Sequence, residues 1–83
     1  MFKMRVYVGY KESVLDPQAE VIEGAITRLG YENISDLKLG KFFDFDVLAE
    51  TEQEAIETAE KISDQLLANI NMESFRVQVL EAK

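Results

Sequence analysis

The chain has 83 residues and a formal net charge of −7, with sixteen acidic side chains against nine basic ones and neither Cys nor His. Without Cys there are no disulfides or thiolate metal sites, and without His the commonest zinc ligand and the usual general base near neutral pH are gone. The acidic balance opposes nucleic-acid binding, which draws on clustered Lys and Arg.

A chain this short buries only about 60% of the surface it exposes when unfolded, so one domain over residues 1–83 is expected to lean on association with other chains. No apolar run is long enough to span a bilayer, and Met-Phe-Lys-Met-Arg leads straight into a strand pattern instead of a signal peptide. A cytoplasmic protein with no membrane partner is expected.

Met4, Val6, Val8 and Tyr10 alternate with Arg5, Tyr7 and Gly9, which predicts an opening strand with one apolar face. Asp16-Pro17 then starts a helix, Asp16 as the cap and Pro17 at the position where a missing N–H costs nothing. Val21, Ile22, Ala25, Ile26 and Leu29 recur at helical spacing and are expected to face the sheet, until Gly30 stops the helix. Gly24 reads as drift on a solvated helix face.

Leu37 and Leu39 suggest a short second strand, and Phe43, Phe45, Val47 and Ala49 a third. A three-residue loop, Gly40 to Phe42, would set Leu39 opposite Phe43 and keep the leucines on the apolar face. Thr51-Glu-Gln-Glu54 is a capping box for a second helix, expected to bury Ala55, Ile56, Ala59, Ile62, Leu66 and Leu67 and to end near Asn69. Phe75, Val77 and Val79 alternate in a closing strand.

The order β-α-β-β-α-β predicts an α+β, ferredoxin-like sandwich: a four-stranded antiparallel sheet, order 4-1-3-2, with two helices on one face. The other face would display Lys3, Arg5 and Tyr7, then Phe42, Asp44, Asp46 and Leu48, then Arg76, Gln78 and Leu80. Bases on the outer strands there oppose acids on the third, and the aromatic and aliphatic side chains among them suit an interface between subunits. Asp44 and Asp46 share that face but fall short of the oxygen ligands a divalent cation needs, so no metal site is expected. Gly40-Lys-Phe-Phe-Asp-Phe45 resembles the aromatic strand of an RNA-recognition domain only superficially, because its register would put Phe43 and Phe45 inside and acids outside. The loop Lys11-Glu-Ser-Val-Leu-Asp16 has neither the Gly run nor the Arg of a phosphate cradle.

Lys3-Met-Arg-Val-Tyr-Val8, Tyr10-Lys-Glu-Ser-Val-Leu-Asp-Pro-Gln18, Leu29-Gly-Tyr31 and Lys38-Leu-Gly-Lys41 together resemble the PurS family, the small subunit of phosphoribosylformylglycinamidine synthase. Ala19 departs from a Gly frequent in that family, and the closing strand matches in pattern alone. The resemblance implies an accessory subunit of an ATP- and glutamine-dependent complex in purine biosynthesis, with no catalytic residue, metal or cofactor of its own. It implies a homodimer or homotetramer that bridges a glutaminase subunit and a synthase subunit, the latter binding ATP and Mg, so that ammonia passes between them.

On that reading Lys11, Glu12, Ser13, Val14, Asp16 and Gln18, with Lys38, Gly40 and Lys41, form the edge that meets the larger subunits. Arg5, Tyr7, Phe42, Asp44, Asp46 and Leu48 form an oligomer face. Two rivals share the expected fold: an ACT-like regulatory domain that binds a small molecule between subunits, and a free-standing acylphosphatase-type enzyme.

Overall fold

In the computed structural model, which describes residues 1–82, the alternating opening segment forms the central strand β1 (Phe2–Tyr10). It is flanked on both sides by antiparallel neighbours, β2 (Gly40–Val47) and β3 (Glu73–Ala82), in the order β2-β1-β3. Met4 and Val6 are wholly buried and Val8 nearly so. Across the strands Met4 meets Phe45 and Val79, Val6 meets Phe43 and Val77, and Val8 meets Phe75, so one sheet face is apolar over most of its length, with Lys41 and Glu73 at the end opposite Val8 and Tyr10. A register shift between Lys3 and Met4 adjusts the pairing with β3.

That apolar face is covered by the second helix, α2 (Glu52–Ile62). Thr51 caps it by accepting the Glu54 N–H at 3.2 Å, and the Glu54 carboxylate reaches back to the N–H of Glu50 at 3.3 Å, one residue earlier than an ideal capping box. Ala55 and Ala59 are fully buried; their small side chains let the helix backbone lie close to the sheet.

The helix continues into one π-helical turn, Ser63–Leu67, closed by the Ala68 N–H on the Ser63 carbonyl at 2.9 Å. The wider turn fits one more residue than an α-turn. It keeps Ser63 and Ala68 buried, with the Ser63 hydroxyl donating to the Ala59 carbonyl at 2.7 Å, and rotates Leu66 out to 78% exposure. The expected burial of Leu66 is thereby overturned.

Two larger expectations are also corrected. The four-stranded 4-1-3-2 sheet does not form: among the described residues there are three strands, because Leu37 and Leu39 belong to an irregular segment. Asp36 adopts a left-handed conformation (φ 56°) and turns the chain just before them, and two leucines are too short a run to hold a ladder. Gly40, Lys41 and Phe42 are not a hairpin loop but the first residues of β2, paired with Gly9, Val8 and Tyr7.

The pair of helices on one sheet face is likewise replaced by a single one. The first helix, α1 (Pro17–Arg28), contributes no residue to the core cluster and buries Ala19 alone. Its ends are as the sequence predicts. Asp16 accepts the N–H groups of Gln18 and Ala19 at 3.0 and 3.3 Å, and Gly30 (φ 103°) closes the far end with its N–H on Thr27 and that of Tyr31 on Ile26.

The result is an elongated chain, 51 × 27 × 14 Å. Its Cα radius of gyration is 16.1 Å, where a compact domain of this length has about 12 Å. Its accessible surface is 6096 Å², where a compact monomer of 9.5 kDa exposes about 5,000 Å².

Candidate functional site

The loop after β1 and the irregular segment before β2 meet at one end of the sheet. Lys11 N–H donates to the Met72 carbonyl at 3.0 Å and the Val14 N–H closes a turn on the Lys11 carbonyl at 2.9 Å, so the loop is held by its backbone while its side chains stay outward. Lys11, Glu12, Val14, Asp16 and Lys38 line a depression of about 260 Å³, with Tyr10, Leu37 and Leu39. Asp16, Gln18, Gly40 and Lys41 line an adjoining one of about 280 Å³, with Glu73. Eight of the nine edge residues expected from the sequence thus gather around two neighbouring hollows; Ser13 is exposed in the turn beside them.

Lys38 Nζ lies 3.4 Å from Asp36 and 3.9 Å from Glu12, and Lys41 Nζ lies 3.9 Å from Glu73. The three ammonium–carboxylate distances are long and both lysine side chains are exposed, so both lysines can take another acid. Asp16 Oδ1 caps α1, while Oδ2 is buried and accepts no hydrogen bond among the described residues. Gly40 sits where the β1 and β2 backbones crowd: a Cβ there would stand 2.9 Å from the Val8 carbonyl oxygen.

The second surface is the uncovered face of the sheet. Lys3 stands opposite Asp46, Arg5 opposite Asp44 and Tyr7 opposite Phe42, the cross-strand pattern expected. Arg5 grips Asp44 with two parallel bonds, Nε to Oδ1 at 2.7 Å and Nη2 to Oδ2 at 2.8 Å. These bonds hold the Asp44 carboxyl below its ordinary range, the nearby charges of Arg5 and Lys3 adding to them against a smaller opposing desolvation; they raise Arg5 above its own. Arg5 also lies 4.4 Å from the Phe42 ring centroid and Arg76 4.4 Å from that of Tyr7, with the two rings 6.2 Å apart.

Asp44 is therefore engaged with Arg5 through both carboxylate oxygens. Leu48 is 83% exposed beyond the end of β2. Glu73, Leu37 and Leu39 also line the hollows, and the strand-like alternation of the two leucines carries no signal of that role.

Among the described residues this arrangement offers charged, shaped contact surfaces. Against protein families, residues 3–81 match the one described as "PurS: Phosphoribosylformylglycinamidine (FGAM) synthase". The chain belongs to the PurS family. It is 32% identical over 81 residues to the phosphoribosylformylglycinamidine synthase subunit PurS of Bacillus subtilis, covering 98% of this chain and 95% of that one. The Thermotoga maritima subunit is 32% identical over 80 residues, covering 96% and 98%.

Among solved structures it resembles PurS of Methanocaldococcus jannaschii, one of the subunits of formylglycinamide ribonucleotide amidotransferase in the purine biosynthetic pathway. The TM-score there is 0.88 at 28% identity, over the whole of both chains. It matches a chain in the structure of PurLQS from Thermotoga maritima equally well, with a TM-score of 0.88 at 33% identity over 95% of this chain and 96% of that one. No helix among the described residues is long and apolar enough to cross a membrane.

Proposed function

We propose that this PurS-family chain is the accessory subunit of a cytoplasmic, ATP- and glutamine-dependent formylglycinamide ribonucleotide amidotransferase in purine biosynthesis. It associates with itself as a homodimer or homotetramer and bridges a glutaminase subunit and a synthase subunit, supporting the passage of ammonia between them. ATP and Mg are held by the synthase subunit, and this chain performs no proton transfer or bond making.

The observation that carries the reading is the match over almost the whole chain to a PurS subunit within a PurLQS structure. The missing His and Cys, and a monomer whose surface exceeds that of a compact chain, agree with it. The contact edge is the hollow-lined end of the sheet, where Lys11, Lys38 and Lys41 offer cations, and where a donor from a partner would satisfy Asp16 Oδ2.

The test is reconstitution with the glutaminase and synthase subunits of the same source. Glutamine-dependent product formation is expected to require this chain, whereas activity with free ammonia persists in the synthase without it. Lys11→Glu combined with Lys41→Glu is expected to weaken assembly about tenfold or more. A chain that retrieves neither subunit and is dispensable for glutamine-dependent turnover would refute the proposal.

A further inference from the structure

We infer that the uncovered face of the sheet carries a small-molecule site for a planar ring bearing an anionic group, a ligand of the nucleoside monophosphate class. The inference goes beyond the assembly reading and does not depend on it.

The site begins with a row of small residues. On this face β1 presents Lys3, Arg5, Tyr7 and Gly9 in turn, and the pairing sets Gly40 and Ser74 on either side of Gly9. Two glycines and a serine leave a floor of backbone that a ligand can approach closely. The next row across the same three strands is Phe42, Tyr7 and Arg76, and it stands above that floor as a wall. The step between the rows, bordered also by Lys38 and Leu39, is a hollow of about 550 Å³. Small-molecule sites occupy about 300–1,000 Å³, and this hollow exceeds either of those at the contact edge.

The aromatic wall is in place before any ligand arrives. Arg76 lies 4.4 Å from the Tyr7 ring centroid. Arg5, one row further from the glycines and held by Asp44, lies 4.4 Å from that of Phe42. Phe42 is still 56% exposed, so its ring keeps surface for a flat partner laid on the glycine floor.

Charge decides what the ring must carry. The chain has a net charge of −7, yet among the described residues no carboxylate lines this hollow. Arg76 makes no ion pair among the described residues, its guanidinium resting on Tyr7. Lys38 has only the largely exposed Glu12 and Asp36 to leave, at 3.9 and 3.4 Å. Lys41 borders the hollow too, but its ammonium turns to Glu73 and the Phe43 ring on the covered face. Arg76, Lys38 and the Ser74 hydroxyl together suit one anionic group. The acidic remainder of the chain repels a longer polyanion, so a single nucleotide fits where a nucleic-acid strand does not.

The deciding experiment is an NMR titration of the isotope-labelled full chain with AMP, adenosine and inorganic phosphate. AMP is expected to shift the amides of Gly9, Gly40 and Ser74 and the ring signals of Tyr7 and Phe42 along one saturable curve. Adenosine and phosphate should each bind at least about tenfold more weakly, because each meets only part of the site. Arg76→Gln and Lys38→Gln, both at exposed positions, should each raise the AMP dissociation constant about tenfold, while Lys61→Gln on α2 leaves it unchanged. Shifts that phosphate alone reproduces at the same concentration would reduce the hollow to a general anion contact and overturn the inference. An oligoadenylate that binds more tightly than AMP would overturn it in favour of nucleic acid. So would AMP that leaves Gly9, Gly40 and Ser74 unmoved, or an Arg76→Gln chain that binds AMP undiminished.

Discussion

Gly9 and Gly40 face each other where β1 and β2 meet, yet replacing them with Ala should move stability in opposite directions. A methyl at Gly9 would come no nearer than 3.8 Å to another atom, the Leu39 carbonyl oxygen, which is an ordinary contact. A methyl at Gly40 would stand 2.9 Å from the Val8 carbonyl oxygen, about half an ångström inside normal contact. The crowded atom is backbone in the central strand and can withdraw only by opening the end of the ladder.

Overpacking of this kind costs about 1–3 kcal/mol, against a gain of roughly 0.5–1 kcal/mol for removing a strand glycine. Gly40→Ala should therefore lose about 1–2 kcal/mol and Gly9→Ala should gain up to about 1 kcal/mol. With a urea dependence near 1 kcal/mol per molar for so small a chain, the Gly40→Ala midpoint falls by about 1–2 M and the Gly9→Ala midpoint rises. The variants must be compared at equal protein concentration, since association adds to apparent stability. If Gly40→Ala unfolds with the wild-type midpoint, or if both variants lose alike, the steric argument fails.

Three further expectations follow from the same geometry. Asp44 has its pKa lowered in the folded chain by Arg5, so its contribution is present above the ordinary carboxylate range, near pH 4, and is lost as pH falls through the lower folded value. Asp44→Asn should be less stable than wild type at pH 7 by chemical denaturation and indistinguishable from it once the wild-type carboxyl is protonated. Asp16→Ala removes the cap of α1 at a cost of about 1 kcal/mol, which should speed amide exchange at Gln18 and Ala19 about fivefold and leave the core amides of β1 unchanged. Gly24→Ala adds a methyl that meets only the Arg28 guanidinium at 3.7 Å, so exchange within α1 should slow by a similar factor, the glycine penalty being about 1 kcal/mol.

What could be read from the residues is what short-range physics decides. The alternation through Met4, Val6 and Val8 names the buried face of β1 because a strand has no other way to place them. Asp16-Pro17, Gly30 and Thr51 mark helix ends through bonds that close within a few residues. The facing of Phe43 inward and Asp44 outward also holds, since a one-residue slip would bury two acids.

The misreadings lie where a longer-range choice intervenes. Leu37 and Leu39 alternate like a strand, but whether they pair depends on the turn at Asp36. Leu66 follows the helical stripe until a π-turn, invisible to a 3.6-residue period, rotates it outward. Val21, Ile22 and Leu29 recur at helical spacing like a core stripe but stay exposed, because whether a sheet covers such a stripe is not a property of the helix.

A sheet of three strands whose outer members both end in open ladder edges is exposed to runaway stacking of strand on strand. Phe42, Phe43 and Phe45 make β2 the more hazardous of the two edges, and Lys41, Asp44 and Asp46 interrupt it with charge at almost every other position. Those three residues are placed as gatekeepers against strand-on-strand stacking, and neutralising them together is expected to lower solubility at high concentration.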